Sequence, residues 1–183
     1  MTVTDSLTLR AVDALDAISV PYLLAGSFAS NFFGLPRSTK DAGFVVQLSG
    51  GVGAEFGQRL GSEFELDTQL TFETVTGTCR QMVYHLRSPF KIEIFLLSKD
   101  AHDQIRFLRR REEDLFGRKV WLLSPEDVIV SKLRWARRKD EEDVRGVMAV
   151  QRGKLDWSHI EHWCRQHGTL AKLEEIRRTV PEI

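Results

Sequence analysis

The sequence predicts an α+β fold, in which a small mixed β-sheet with flanking helices is followed by a helical C-terminal part. Short apolar runs separated by glycine, proline and serine extend to about residue 123, which is typical of strands. From Ser124 onward the apolar residues recur at helical spacing instead. We therefore expect an α/β core over residues 1–123 and a helical region over residues 124–183 that packs on it.

The first third of the chain alternates helix and strand patterns. The apolar residues of the first segment recur near helical spacing, with Thr4 or Asp5 as candidate N-caps and Pro21 after its end. Gly26 then breaks a short apolar run that reads as a buried strand. The expected elements are, in order, helix 5–18, strand 22–26, helix 27–34, loop 35–40, strand 41–48 and helix 52–60.

The middle of the chain is rich in strand patterns, and the end is helical. We expect three strands between residues 65 and 97 and a hairpin over residues 112–123 that turns at Gly117. Residues 101–111 fit either a helix or a strand. Ser124 is a good N-cap with Pro125 at the first helical position, and further helices follow to the end of the chain.

Composition and charge exclude several classes of protein. The chain has 183 residues, with 26 basic and 26 acidic side chains, so no bulk charge indicates a nucleic-acid partner. Cys79 and Cys164 are too few and too far apart for a disulfide framework, which favours reduced thiols in a cytoplasmic protein. No signal-peptide pattern and no apolar run of about 20 residues is present, so we expect no membrane partner.

A pair of carboxylates on two predicted strands is the strongest indication of chemistry. Side chains two residues apart on a strand share a face, so Asp41 shares a face with position 43, and Glu93 shares one with Lys91. If the strands are neighbours, Glu93 can lie beside Asp41. Two carboxylates of this kind suit Mg²⁺, which is usually held by carboxylates together with substrate phosphates.

A phosphate-binding turn precedes this pair of strands. Gly26 and Ser27 stand where a strand gives way to a helix, and a helix N-terminus with a hydroxyl group can donate to phosphate oxygens. Alone, this turn would be an ordinary strand-to-helix connection. Together with the two carboxylates, it predicts a site for a nucleoside triphosphate and Mg²⁺.

These residues resemble the DNA polymerase beta-like nucleotidyltransferase superfamily. The pattern in that superfamily is Gly-Ser, thirteen residues and Asp-x-Asp, and this chain has Gly26-Ser27, thirteen residues and "DAG". Within it, the chain is most similar to small bacterial abortive-infection nucleotidyltransferase toxins of the AbiEii type. The matching segments are "GLPRSTKD", "KIEIF", "LSPEDVIVSKL" and "RRKDEEDV".

The resemblance implies a nucleotidyltransferase-like fold and a set of functional residues. It implies transfer of a nucleotidyl group from a Mg²⁺-bound nucleoside triphosphate to a hydroxyl group of tRNA, a protein or a small molecule, and a cognate antitoxin or toxin as partner. The implied catalytic residues are Asp41, Glu93, Lys132 and Asp140, the implied metal ligands are Asp41 and Glu93, and the implied nucleotide-binding residues are Gly26, Ser27, Arg37, Thr39 and Lys132.

Gly43 is the departure from the superfamily pattern. It occupies the position of the second Asp of Asp-x-Asp, where glycine offers no metal ligand and weakens a strand interior. We therefore expect activity to be weakened or lost. The alternative is an inactive nucleotide- or partner-binding module.

Three other groups have ordinary structural interpretations beside functional ones. Lys132 fits either a surface lysine or one that reaches a triphosphate, and Asp140 and Asp143 also fit charges on a helix surface. The arginines of "RFLRRREED" could contact an RNA backbone, although the following acidic residues favour a solvated helix face. The histidines and cysteine of "HIEHWCRQH" do not share one face, so we expect no zinc site from this segment.

Overall fold

A computed structural model of the protein describes residues 1–180. Its helices are α1 (Val3–Ala17), α2 (Gly26–Phe33), α3 (Ala54–Leu60), α4 (Ala101–Leu108), α5 (Pro125–Trp135), α6 (Arg138–Val150), α7 (Trp157–Gln166) and α8 (Leu170–Arg177). Its strands are β1 (Tyr22–Ala25), β2 (Asp41–Val46), β3 (Phe64–Glu73), β4 (Thr78–His85), β5 (Lys91–Leu96), β6 (Arg111–Leu115) and β7 (Arg118–Leu122).

The strands form one mixed seven-stranded sheet in the order β3-β4-β5-β2-β1-β7-β6. The pairs β2–β5 and β1–β7 are parallel, and the other neighbours are antiparallel. The predicted α+β fold is therefore confirmed. The central strands β5, β2 and β1 place the segments around Glu93, Asp41 and Gly26 side by side.

The two faces of the central strands differ in character. Ala42, Phe44, Ile92 and Ile94 are fully buried on one face, where the ring of Phe44 makes an edge contact with that of Tyr22. The alternate residues of β2 and β5 face an open cleft instead. The two-residue periodicity of the sequence thus separates a packed core from a polar surface.

Local sequence signals explain several boundaries. Ser124 caps α5, as expected, by accepting a hydrogen bond from the Asp127 N–H. At the β6–β7 hairpin, Phe116 and Gly117 both have positive φ angles, which two-residue hairpin turns of this twist require. The expected turn at Gly117 is therefore confirmed.

One local expectation is wrong, and one assignment that the sequence left open is resolved. Neither Thr4 nor Asp5 is the N-cap of the first helix: Thr2 is, and Asp5 bonds back to the Thr2 N–H to complete a capping box. Residues 101–111, which fitted either element, contain both, because α4 ends at Leu108 and β6 begins at Arg111. Both cysteines are free, and no helix in residues 1–180 is long and apolar enough to span a membrane.

Candidate functional site

A cleft of about 240 Å³ opens over the central strands, between the start of α2 and one side of α5. The sheet contributes side chains of both charges, and α5 with the segment after it contributes basic and aromatic ones. The lining residues that carry the argument are Ser27, Asp41, Gly43, Glu93, Lys132 and Arg137.

The turn from β1 into α2 forms one wall of this cleft. Gly26 has a φ angle of +62°, a left-handed conformation that glycine adopts without steric cost. Ala25 is the N-cap residue, and its methyl group cannot accept hydrogen bonds from the first N–H groups of α2. These donors, together with the Ser27 hydroxyl, provide a surface suited to phosphate oxygens.

The registers of β2 and β5 place Gly43 between the two candidate metal ligands. Gly43 pairs with Glu93 on β5 and with Ala25 on β1, while Asp41 lies two residues earlier on the same face. A Cβ atom built at Gly43 has no atom of the described residues within 4 Å, apart from its chain neighbours. A side chain at position 43 would therefore project into open space between Asp41 and Glu93.

Neighbouring polar groups hold both carboxylates. The Thr39 hydroxyl donates to Asp41 Oδ1 over 3.1 Å. Glu93 Oε1 lies 3.1 Å from Nζ of Lys91, on the same strand, and 3.5 Å from Nη1 of Arg80 on β4. Thr39 thus orients Asp41 from outside the cleft, and the charge of Glu93 is partly balanced by cations of the protein itself.

Lys132 lies at the base of the cleft in a network of buried ion pairs. Its Nζ is 2.6 Å from Asp143 Oδ2 and 3.2 Å from Asp140 Oδ1. Arg137 bonds to Asp140 from the cleft, and Arg37 bonds to Asp143 over 2.6 and 2.8 Å. The network contains three cations and two carboxylates, which leaves a positive charge beneath the cleft.

Burial and ion pairing act in opposite directions on these two carboxylates. Burial would raise the pKa of Asp140, but the hydrogen bond from Arg137 and the charge of Lys132 outweigh it and lower the pKa. Burial opposes ionisation of Asp143 as well, and hydrogen bonds from Arg37 and Lys132 again lower its pKa. Both side chains are therefore ionised at neutral pH and fix the position of Lys132.

The structure separates the predicted residues into two groups. Gly26, Ser27, Asp41, Glu93 and Lys132 line the cleft. The other three predicted residues support them: Arg37 donates to Ser27 Oγ over 3.1 Å, Thr39 holds Asp41, and Asp140 holds Lys132 and Arg137.

The interpretation of Asp140 and Asp143 as helix-surface charges is wrong, because both are buried. Arg106, on α4, does not lie on a solvated helix face as we expected. Arg106 is 7% exposed, pairs with Asp103 and lines the cleft. Sequence reasoning missed this cation because four arginines in one short segment resemble a surface cluster.

Part of the chain matches a known family. Residues 103–180 match the family described as "Nucleotidyltransferase of unknown function (DUF6036)". This match includes the segment that supplies Lys132, Asp140 and Asp143. No curated protein matches the chain.

Solved structures match over nearly the whole chain. The solution structure of the antibiotic-resistance factor ANT(2'')-Ia is 13% identical, with 96% of this chain and 97% of that one covered and a TM-score of 0.58. An antigenic nucleotidyltransferase-like protein from Paracoccidioides brasiliensis is 19% identical, with coverage of 100% and 96% and a TM-score of 0.50. JHP933 from Helicobacter pylori is 15% identical, with coverage of 91% and 75% and a TM-score of 0.51.

The chain has a nucleotidyltransferase-like fold. The family and the structural matches agree on this, and they support the superfamily that the Gly-Ser and Asp-x-Gly segments resemble. The closer similarity to abortive-infection toxins of the AbiEii type has no support among these matches and stays a prediction.

The residues of this cleft fit one Mg²⁺ ion better than two. Asp41 and Glu93 are oxygen ligands on neighbouring strands, and substrate phosphates and water can complete the coordination of one ion. A pair of ions about 3.5–4 Å apart needs further carboxylate oxygens between them. Gly43 provides none at the position that lies between the two ligands.

Proposed function

We propose that the cleft binds a nucleoside triphosphate with one Mg²⁺ ion and transfers its nucleotidyl group to a hydroxyl acceptor, at a rate limited by Gly43. The observation that supports this most strongly is the arrangement of Asp41 and Glu93 on paired strands, beside the N-terminus of α2. Nucleotidyltransferases generally use divalent metal ions, and this arrangement offers oxygen ligands for one.

Binding of the triphosphate would use hydrogen-bond donors on one side of the cleft and positive charge on the other. The N–H groups at the start of α2 and the Ser27 hydroxyl would donate to phosphate oxygens. On the opposite side, Arg137 and the positive charge of the Lys132 network would attract the same phosphates. Arg37 has a positioning role, since it fixes both Ser27 and Asp143.

The chemistry follows from positioning and charge. In nucleotidyl transfer the acceptor oxygen forms a bond to the α-phosphorus, the hydroxyl proton is lost, and pyrophosphate leaves. A bound Mg²⁺ ion neutralises phosphate charge, and Asp41 and Glu93 are the residues that would hold it. The basic groups around Lys132 would stabilise the negative charge that develops on the leaving phosphates.

A specific observation also favours a second candidate function. Lys91 and Arg80 already lie beside Glu93, and Gly43 removes the carboxylate that would compete for them. A cleft of this kind can bind a nucleotide without transferring it. The second candidate is therefore a nucleotide-binding module that lacks transfer activity.

The acceptor would be a hydroxyl group of tRNA, of a protein or of a small molecule, since each of these satisfies the chemistry. One structural relative is named as an antibiotic-resistance factor, which makes small hydroxylated molecules reasonable first acceptors to test. A toxin–antitoxin partnership remains a prediction from the sequence resemblance.

The experiment that tests the proposal compares the wild-type protein with Gly43→Asp. Transfer would be measured with nucleotides radiolabelled at the α-phosphate and cell extract as a source of acceptors. Gly50→Asp is a matched control, because Gly50 also has open space around it but lies outside the cleft. All three proteins would first be compared for folding by circular dichroism.

We expect Gly43→Asp to raise the transfer rate by about 10²–10³-fold, the size of effect commonly seen for one electrostatic element of an active site. The new carboxylate would lie on the Asp41 face of β2, and folding should change little because glycine is itself unfavourable in a strand. Gly50→Asp should behave like the wild type. If folded Gly43→Asp binds nucleotide but labels nothing, transfer is ruled out and the binding module stands.

A further inference from the structure

A second cluster of metal-ligating side chains lies outside the cleft, where three helices meet. His102 comes from α4, Asp127 from α5 and His159 from α7. The Nε2 atoms of His102 and His159 lie 3.0 and 2.7 Å from the same oxygen, Asp127 Oδ1. None of the three residues lines the nucleotide cleft.

The cluster is closed on most sides. The side chains of His102 and Asp127 are fully buried, and that of His159 is 10% exposed. Asp127 Oδ2 is occupied, since the Ser124 hydroxyl donates to it over 2.7 Å and Arg109 Nε lies 3.8 Å away. Only Oδ1 therefore faces the two imidazoles, and access from solvent is on the His159 side.

The donor set and its spacing suit a tetrahedral metal ion. Two imidazole nitrogens and one carboxylate oxygen are typical ligands of Zn²⁺, at about 2.0–2.2 Å from the metal. Ligand atoms around such an ion are about 3.3 Å apart, by tetrahedral geometry from those bond lengths. The distances of 2.7 and 3.0 Å need to widen by only a few tenths of an ångström.

An unpaired nitrogen gives a second, independent indication. His102 Nδ1 is buried with no hydrogen-bond partner among residues 1–180, and the same holds for His167 Nδ1, whose ring centre lies 5.0 Å away. In a network of hydrogen bonds alone, His102 would use its one hydrogen on Asp127 and leave a bare nitrogen at Nδ1. When Nε2 binds a metal, the hydrogen moves to Nδ1, so the ring no longer leaves a bare nitrogen at this buried position.

We propose that His102, Asp127 and His159 bind one divalent transition-metal ion of the Zn²⁺ class, with water as the fourth ligand, and that this ion ties α4, α5 and α7 together. The proposal differs from a zinc site within the "HIEHWCRQH" segment, because only His159 of that segment takes part. The other two ligands come from helices that are distant in sequence.

The test measures metal binding by the full chain directly. Metal-free protein would be titrated with Co²⁺ and followed by the visible absorption of tetrahedral cobalt, and the zinc content after dialysis would be measured by mass spectrometry. His159→Gln removes one ligand but keeps a group that can donate to Asp127. His162→Gln is the matched control, three residues along α7 and exposed to solvent.

We expect one equivalent of metal per chain, a tetrahedral cobalt spectrum, and a melting temperature that rises with added Zn²⁺ in the wild type and in His162→Gln. In folded His159→Gln the spectrum and the rise should both be lost. Asp41→Asn should retain them, which separates this site from the nucleotide cleft. Absence of stoichiometric binding by the folded wild type, or equal binding by His159→Gln, would overturn the proposal.

Discussion

At the scale of single residues, the buried ion pairs around Lys132 connect stability with the candidate site. Lys132 is 5% exposed and contacts two carboxylates that are themselves buried. Each carboxylate also has an arginine partner, so the network would remain partly compensated if Lys132 were lost. These pairs are therefore a means of positioning charge under the cleft, and we infer no net gain in stability from them.

Replacement of Lys132 by methionine should lower the free energy of unfolding by about 3 kcal/mol, because it leaves buried carboxylate charge less compensated. We choose the low end of the range for broken buried pairs since Arg37 and Arg137 remain. Urea denaturation measures this change. Lys139→Met is the control, because Lys139 also lines the cleft but is exposed, and it should change the free energy by no more than about 0.5 kcal/mol.

Equal effects of the two lysine substitutions would contradict the role assigned to the buried network. A stabilised Lys132→Met protein would contradict it more strongly, since it would mean that burial of the lysine costs more than its two partners return.

At the scale of elements, α5 connects the two candidate sites: its capped N-terminus contacts the histidine cluster, and its next turn lines the cleft. The Ser124 hydroxyl accepts from the Asp127 N–H and donates to Asp127 Oδ2. Asp127 in turn contacts two histidines from other helices. One turn of helix further along, the same element supplies Ser131 and Lys132 to the cleft.

We expect Ser124→Ala to lower the free energy of unfolding by about 2 kcal/mol, near the upper end of the effect of losing an N-cap. The reason is that Ser124 is 1% exposed, so its partners cannot turn to water instead. Thr2→Ala removes the corresponding cap of α1 at an exposed position and should cost about 0.5 kcal/mol. Thermal and urea unfolding of both variants would test this order, and the reverse order would show that α5 is anchored by other contacts.

The elements also show which boundaries a sequence can predict. The cap at Ser124 and the turn at Gly117 carry strong local signals, and both were predicted correctly. The boundary between α4 and β6 was not resolved, because a run of arginines is followed there by a run of acidic residues, with no apolar period to distinguish helix from strand. Packing against the protein core and the pairing of β6 with β7 set that boundary, and neither can be read from the local sequence.

At the scale of the whole molecule, acid should destabilise the protein in two steps. The pKa values of His102 and His167 are lowered by burial, that of His167 from 6.5 to about 4. Between those values the unfolded chain binds more protons than the folded one, so stability falls as the pH falls from about 6.5 to 4. Asp127, Asp140 and Asp143 also have lowered pKa values, so the stability they contribute is lost as the pH falls below about 4.

Urea denaturation at a series of pH values measures this profile. The free energy of unfolding should decline steadily from pH 7 to pH 4, and His167→Gln should reduce the slope in that interval. A free energy that is independent of pH over this range would contradict the assignment of neutral, buried imidazoles.

The arrangement of the whole molecule also explains which residues of the candidate sites could be predicted from the sequence. The Gly26-Ser27 turn, Asp41 and Glu93 could be predicted from the sequence, because strand periodicity and a known pattern both indicate them. The partners of Lys132 and the cluster of His102, Asp127 and His159 could not be predicted, because they depend on how separate helices pack. Arg37 and Asp143, for example, are 106 residues apart in sequence but share two hydrogen bonds.

The central claim is that the cleft binds a Mg²⁺–nucleotide complex through Asp41 and Glu93. Titration calorimetry with ATP, CTP, GTP and UTP, with and without Mg²⁺, tests it most directly when wild type and Glu93→Gln are compared. Glu65→Gln is the control, since Glu65 is an exposed strand carboxylate outside the cleft. The account predicts Mg²⁺-dependent binding of at least one nucleotide, weakened about tenfold, or by about 1.4 kcal/mol, in Glu93→Gln and unchanged in Glu65→Gln. The substitution Glu93→Gln also releases Lys91 and Arg80 from their ion pairs. If the cleft binds phosphate without metal, Glu93→Gln would therefore bind the nucleotide more tightly than the wild type, and Mg²⁺ would have no effect. That result would contradict the account.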